Sequence, residues 1–239
     1  MDLMDMTELG GILEREEVVR GMLIRDVSFR KLDVDVVQLE NCRLEDCDFN
    51  DYRGDRLVLT GCELTGIPIQ NAKADEVRFA GCKMQNCKLN GSQLRRSRFE
   101  DCDLSNVSFF EADLSGAAFA DCKLLGSDFA GARLADVRLR KCNLQMANLK
   151  LQVFKKQHFL QVDFSEADLV ECDFTGARFE DCILGGANVT SAVFAKTDLS
   201  GSDLAGFDIT ACRSLRGASV TYSQTPQILA RFEMNVTES

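Results

Sequence analysis

The stretch CDLSNVSFFEADLSGAAFADCKLLGSDFAGARL, residues 102–134, decides the fold. Every fifth residue in it is Leu or Phe, and the residue two places before each of these is small or compact. An amphipathic helix repeats its apolar face after three and four residues and a strand after two, so neither period explains the pattern. A five-residue repeat predicts a solenoid in which each repeat forms one short side of a coil. The Leu and Phe positions, which we call centres, are Leu104, Phe109, Leu114, Phe119, Leu124, Phe129 and Leu134.

Four sides of five residues close a square coil of twenty residues, and successive coils pair through parallel backbone hydrogen bonds. We expect each centre to point inward, the residue two places before it to point inward and be small, and the other three residues to face water. This register continues without a slip from Phe29 to Ile209. The sequence therefore predicts about nine coils, stacked about 4.8 Å apart.

The wording A-D-L-S-G of residues 112–116, echoed at 167–170 and 201–206, resembles the pentapeptide-repeat family. The resemblance implies an all-β fold, a right-handed quadrilateral parallel β-helix. We expect residues 27–212 to form it, between an N-terminal cap at 1–26 and a C-terminal cap at 213–239.

The C-terminal cap contains a helix signal. Thr225 followed by Pro226 resembles an N-cap with proline at the first helical position, which predicts a short helix from Pro226 to Met234. A helix this short needs its apolar stripe covered. We expect that stripe either to close the last coil or also to join two copies of the chain into a homodimer; its residues are Ile228, Leu229 and Phe232.

Two regions inside the repeats depart from the pattern. Around Tyr52 and Gly54 a large residue takes a small inward position and a small residue takes a centre, which indicates a local change of shape or a hinge. In LQVFKKQHFLQ, residues 151–161, Gln152 and Gln157 take small inward positions. Buried glutamines need hydrogen-bond partners, so we expect this coil to be irregular.

All eleven cysteines lie on small inward positions, and six of them are spaced by twenty residues, the length of one coil. Side chains stacked a coil apart keep their sulfurs much farther apart than a bond of about 2.05 Å allows. We expect free, buried thiols, no metal site, no cofactor and a cytoplasmic location. The six are Cys42, Cys62, Cys82, Cys102, Cys122 and Cys142.

Neither catalysis nor membrane insertion is indicated. A filled square rod has flat outer walls, whereas catalysis needs a pocket with a nucleophile, base or metal in mutual reach. The single histidine, His158, is predicted to face outward, with no orienting carboxylate on its own coil side. No apolar run approaches the roughly 20 residues of a membrane span.

The net charge of −10 is concentrated toward the ends of the repeat region. We expect a group of carboxylates in the C-terminal half, which we call the acidic face, to bind a partner protein. Each Asp also has a local role to play, because Asp beside a corner accepts hydrogen bonds from backbone amides. The acidic face comprises Asp128, Asp163, Glu166, Asp168, Glu171, Asp203 and Asp208.

A second wall carries an arginine column, with Arg95 and Arg96 around the corner; the column is made of Arg78, Arg98, Arg138 and Arg178. Acidic residues such as Glu100 and Glu180 share this wall. Cross-coil ion pairs are therefore favoured over direct binding of nucleic acid.

Three functions are compatible with such a rod. The outline is similar to the Qnr-type members of the family, and this resemblance implies occupation of the DNA-binding surface of DNA gyrase or topoisomerase IV. The second hypothesis is an immunity protein that neutralises a co-encoded bacterial toxin, such as a nuclease. The third is a structural scaffold or adaptor. The fold alone does not choose among them.

Overall fold

The chain winds into coils of twenty residues that pair side by side in parallel. In the computed structural model, which describes residues 1–4, 6–15, 17–32, 34–54, 56–229 and 232, Phe79 pairs with Phe99 and Phe99 with Phe119. One wall is a ten-stranded parallel sheet whose order follows the chain, and three N-terminal strands form a second. The parallel β-helix predicted from the repeat is confirmed.

The described elements are mostly short strands. The strands are β1 Leu3–Met4, β2 Val19–Arg20, β3 Leu23–Arg25, β4 Val36–Glu40, β5 Arg43–Glu45, β6 Arg56–Thr60, β7 Arg78–Ala80, β8 Arg98–Glu100, β9 Ala118–Ala120, β10 Arg138–Arg140, β11 His158–Leu160, β12 Arg178–Ile183 and β13 Asp198–Asp203. The α-helices are α1 Met6–Leu13 and α2 Thr225–Leu229, and 3-10 turns span Phe29–Leu32 and Tyr222–Gln224.

The square section comes from a left-handed residue at each corner. In one coil the corners are Asp101, Asn106, Glu111 and Gly116, with φ of 52°, 55°, 57° and 71°. Asn, Asp and Gly tolerate this conformation best, which explains why they recur at five-residue intervals. Two corners carry apolar residues instead, Met146 at φ 58° and Leu151 at φ 63°.

The interior is filled by the predicted centres. Phe119 is 1% exposed, and its ring stacks on Phe99 with centroids 4.6 Å apart. It also meets Phe109 and Phe129 edge-on at 5.9 and 6.3 Å. Burying each Phe contributes roughly 1.5–3 kcal/mol, so these columns of rings dominate the stability of the rod.

The cysteines are free thiols along the inner wall; ten are buried and Cys212 is half-buried. A typical Sγ, that of Cys122, donates to the carbonyls of Phe99 and Ala120 at 3.3 Å each. Burial raises the pKa of the Cys142 and Cys182 thiols to about 11. Burial therefore favours the protonated, unreactive form of these two thiols.

Local repacking accommodates the large Tyr52 at a small inward position and the small Gly54 at a centre. The Tyr52 side chain is 1% exposed, and its ring meets Phe49 edge-on with centroids 6.0 Å apart. A Cβ at Gly54 would lie 2.0 Å from the Tyr52 hydroxyl oxygen. The tyrosine ring thus takes the space of the missing centre, and Arg53 keeps its parallel bridge to Lys73.

The ladder begins earlier than the Phe29 from which the repeats were counted. Val19 pairs with Leu39, and Leu23–Arg25 pairs with Arg43–Glu45, so strand pairing crosses residue 26. Val19 and Ile24 continue the five-residue frame and are buried. The wall consequently has ten strands, where about nine coils were expected.

The C-terminal segment crosses the last coil after a one-residue shift, so that Val193 pairs with Ser214 instead of residue 213. The buried Gln224 amide donates to the carbonyls of Leu199 and Ser202 at 2.8 and 2.6 Å. The predicted N-cap is wrong, because Thr225 is already helical at φ −55°, ψ −43°. The helix is described to Leu229, and the predicted end at Met234 lies outside the described residues.

Candidate partner-binding surfaces

The structure aligns most of the acidic face as predicted. Asp128 bridges to Asn148, which bridges to Asp168, so these lie on one wall a coil apart. On the adjacent wall, Asp163 and Asp203 both pair with Ile183, which lies between them. Both columns follow from the twenty-residue coil.

The corner residues complete this surface. Glu166 occupies the corner between the two walls and Glu171 the next corner, both at φ 56°. Asp208 lies twenty residues after Asn188. Shortly after it, paired residues of successive coils are 21 positions apart, as in the bridge from Val193 to Ser214. The carboxylate of Asp208 accepts from the amide and hydroxyl of Thr210 at 3.0 and 2.6 Å.

The aspartates also hold the corners. Asp163 Oδ1 accepts from the Ser165 amide and hydroxyl at 2.8 and 2.6 Å, and Asp128 Oδ1 accepts from the Ala130 amide at 3.0 Å. Such local bonds account for Asp at these positions without any partner. Their charge nevertheless remains at the surface.

Neutralisation within the acidic face is partial. Lys150 Nζ lies 2.8 Å from Asp168 Oδ2. Glu166 and Glu171 are exposed, and neither forms an ion pair or a side-chain hydrogen bond with the part of the chain that the structure describes. These two glutamates are therefore the carboxylates most available to a partner.

The density of charge on the acidic face approaches that of one DNA strand. Asp128 and Asp208 are four coils apart, about 19 Å at about 4.8 Å per coil. Seven carboxylates, one of them paired with Lys150, lie along this length on two walls and the corners beside them, about one per 3 Å. One strand of B-DNA carries a charge about every 3.4 Å.

The arginines form some of the expected cross-coil pairs. Arg178 lies 3.1 Å from Glu180 and 4.0 Å from Asp198, which is one coil further on, whereas Arg78, Arg98 and Arg138 form no ion pair within the described ranges. Two further expected pairs form at the neighbouring corner. They join Arg95 to Asp75 at 2.6 Å and Arg96 to Glu76 at 3.0 Å.

His158 contacts a carboxylate, which comes from a different coil. Its Nε2 lies 3.1 Å from Glu180 Oε2, which comes from the next coil. The spacing of 22 residues, one coil plus two, is the sequence signal that would have found this pair. Both side chains are at the surface, so the contact is an outer-wall pair.

The described residues contain neither a metal-binding cluster nor a membrane-spanning helix. Within the described ranges, no group of three His, Cys, Asp or Glu is placed to hold a metal ion. No helix in this part of the chain is long and apolar enough to cross a membrane.

The three residues predicted to join two copies differ in exposure. Ile228 packs partly against the core of its own chain, and Leu229 is half-buried. Phe232 is 49% exposed. The segment thus covers the last coil and still presents an aromatic ring to solvent.

The repeats match a known sequence family. A profile described as "Pentapeptide repeat region" matches residues 72–149 and 132–209, together more than half of the chain. A comparison with curated proteins found no sequence match.

Solved structures similar to the chain include QnrB1, a plasmid-mediated fluoroquinolone resistance protein. A trypsin-treated variant of QnrB1 has 20% identity and a TM-score of 0.69, over 92% of this chain and 99% of that one. Full-length QnrB1 has 18% identity and a TM-score of 0.65, over 91% and 99%. HetL of the cyanobacterium Nostoc, involved in heterocyst differentiation regulation, has 19% identity and a TM-score of 0.43, over 90% and 94%. The likeness to QnrB1 is one of fold.

Proposed function

Because this chain belongs to the pentapeptide-repeat family, we propose that it is a non-catalytic binding protein, a rod whose acidic face occupies the DNA-binding surface of a DNA-handling protein. The partner class is DNA gyrase or topoisomerase IV. The rod protects or blocks that enzyme by excluding DNA, and it binds no nucleic acid itself. The proposed location is the cytoplasm, whose reducing conditions suit its free thiols.

One observation carries this proposal: the acidic face places about one carboxylate per 3 Å along the rod, close to the spacing of about 3.4 Å between charges on a DNA strand. A surface that binds DNA phosphates is lined with Lys and Arg. Carboxylates at a similar spacing on a straight rod meet the same cations. Glu166 and Glu171 contribute most because they project from corners without a cation beside them.

The same C-terminal segment that covers the last coil is proposed to join two rods. Ile228, Leu229 and the exposed Phe232 provide its apolar contacts. Two rods joined end to end would present the acidic face twice along one axis. A DNA-binding surface with twofold symmetry would fit this arrangement.

The test is a supercoiling assay with purified gyrase and topoisomerase IV, together with binding measured at increasing salt. We expect the wild-type protein to alter DNA handling and its affinity to fall as salt rises. Glu166→Gln combined with Glu171→Gln should weaken binding about tenfold or more, since two exposed charges are lost from the contact.

The control is Glu100→Gln combined with Asp101→Asn, which removes the same charge near the arginine column. It should bind like the wild type. Equal weakening by both pairs, or no binding to either enzyme at low salt, would refute the proposal. A salt-resistant complex with a co-encoded toxin would replace it with the immunity function.

A further inference from the structure

Two successive coils in the middle of the rod lack most of the backbone hydrogen bonds that join other coils. The gap lies between residues 130–139 of one coil and residues 150–159 of the next, and we call it the open step. Pairing is intact at both of its borders, where the Phe129 amide donates to Asn148 at 2.9 Å and the Lys141 amide to Leu160 at 2.8 Å. Between these borders the coils do not bond to each other through their backbones.

The adjoining steps show what is absent. In the step before, Leu114 donates to the Arg133 carbonyl at 2.9 Å, and in the step after, Phe154 donates to Asp173 at 2.8 Å. The equivalent bond from Leu134 to Val153 is not formed, and four further equivalents are missing with it. The amides that lack a backbone acceptor are those of Gly131, Leu134, Asp136, Val153 and His158.

Two glutamines lie at the open step, Gln152 buried and Gln157 half-buried. They occupy inward positions that hold Ala, Val or Cys in the coils on either side. The Gln152 amide group donates to the carbonyls of Phe129 and Ala132, at 3.2 Å each, and so takes an acceptor that the ladder would otherwise use. Side chains too large for a packed site displace the backbone around them.

The opening is a groove with apolar rims. It has a volume of about 480 Å³ and is lined by residues 131–135 and 150–153 with Ser115. Leu151 and Val153 are 67% and 57% exposed on its edge. Most coils carry polar or charged residues or glycine in these two columns, so exposed apolar side chains coincide with the unpaired backbone. Arg133 also lines the groove and has no ion pair within the described ranges.

We propose that the open step is a docking groove for an extended segment of a partner protein. Unpaired backbone groups line both edges: the amides of Gly131 and Leu134 on one, and the amide of Val153 with the carbonyls of Lys150 and Val153 on the other. Another extended backbone supplies both donors and acceptors for such groups. The five residues at 131–135 would span about 16 Å if fully extended, and the left-handed corner at Gly131 shortens this, so the groove fits a segment of about four residues. The segment carries an apolar side chain against Leu151 and Val153 and a carboxylate toward Arg133. This groove is independent of the acidic face, so the proposal does not rest on the proposed function.

The first test measures amide hydrogen exchange of the full chain by NMR. The amides of Leu134, Asp136 and Val153 should exchange at least tenfold faster than those of Leu114 and Phe154, which hold the place of Leu134 in the adjoining steps. Gln152→Ala with Gln157→Ala restores small inward residues, and it should slow the three amides at least tenfold. Equal protection at all five in the wild type would mean that the ladder is closed, and the proposal would fail.

The second test selects ligands from a phage-displayed library of random heptapeptides on the immobilised full chain. Selected peptides should combine acidic and apolar residues, and their binding should protect the open-step amides. Affinity should fall at least tenfold in Gln152→Ala/Gln157→Ala, which closes the groove. The affinity should fall as much in Leu151→Asn/Val153→Lys. This variant keeps the groove open but replaces its two exposed apolar side chains by polar ones of the kind found at these positions in other coils.

Either double variant binding the selected peptides like the wild type would overturn the assignment. A library without enrichment, or binding of RNA oligonucleotides in preference to peptides, would overturn it as well. Thermal unfolding accompanies each variant, and the Gln152→Ala/Gln157→Ala melting temperature should equal or exceed that of the wild type.

Discussion

Truncation of Phe119 to alanine tests the reading of the core most directly. Loss of a buried Phe costs about 3–5 kcal/mol, and the three ring contacts of Phe119, each worth about 0.5–1.5 kcal/mol, place this site at the upper end. We therefore expect Phe119→Ala to lower the free energy of unfolding by about 5 kcal/mol. Phe119→Leu is the matched control, since Leu139 fills the same column one coil later. It should cost only about 2 kcal/mol, because most of the volume remains.

Equilibrium unfolding in guanidinium chloride, followed by far-UV circular dichroism, measures both changes. Each coil contacts only its neighbours, so a defect in the middle also separates the two halves energetically. The alanine variant should therefore unfold in a broader or split transition. A loss below about 1 kcal/mol for alanine, or equal losses for alanine and leucine, would refute the inward assignment of the centres.

Four further predictions concern other parts of the rod. The Asp198 carboxylate accepts hydrogen bonds from the hydroxyl and the amide of Ser200, which lowers the pKa of Asp198. The ionised carboxylate therefore stabilises the folded protein above the unfolded pKa of about 3.9, and this contribution is lost as pH falls through the folded value. Asp198→Asn should lower the melting temperature at pH 7 but not at pH 2. Ten of the eleven thiols are buried, so fewer than one per chain should react with Ellman's reagent at pH 8, and all eleven should react after unfolding; several reactive thiols in the native protein would contradict this. Gly54→Leu should cost about 2 kcal/mol or more by clashing with Tyr52, whereas Tyr52→Ala/Gly54→Leu restores the ordinary repeat and should recover most of that loss in urea melts. In sedimentation velocity, the wild type should be dimeric and Phe232→Ser monomeric, and a monomeric wild type would leave the C-terminal segment as a cap only.

The five-residue repeat predicts the fold closely, and the predictions fail where the period weakens. Val19 and Ile24 belong to the ladder although the sequence predicts a cap there, because they are not Leu or Phe, the usual residues at the centres. Thr225 looked like an N-cap, yet it continues the 3-10 turn at Tyr222–Gln224, since the hydrogen bonds of Gln224 to the last coil set the chain direction there. Local signals are overridden where a tertiary contact is stronger.

For the surfaces, register alone placed Asp128, Asn148 and Asp168 in one column. It could not reveal which carboxylates keep their charge free, because that depends on where flexible side chains such as Lys150 reach. Some arginines form the predicted cross-coil pairs, whereas three in the column form none within the described residues, for the same reason. Register fixes the positions of Cβ atoms, whereas an ion pair depends on the rotamers of long side chains.

The sequence by itself determined the coil length, the inward and outward positions and the cysteine column, since a period of five leaves only one way to bury the Leu and Phe centres. Only the tertiary structure decided that Gln152 and Gln157 open the ladder, and that the opening lies beside the exposed Leu151 and Val153. Whether an oversized inward residue is absorbed or displaces the backbone depends on the space left by its neighbours. At Tyr52 the empty position of Gly54 accommodates the ring, whereas the centre beside Gln152 is filled by the buried Phe154, and the ladder is open at this step.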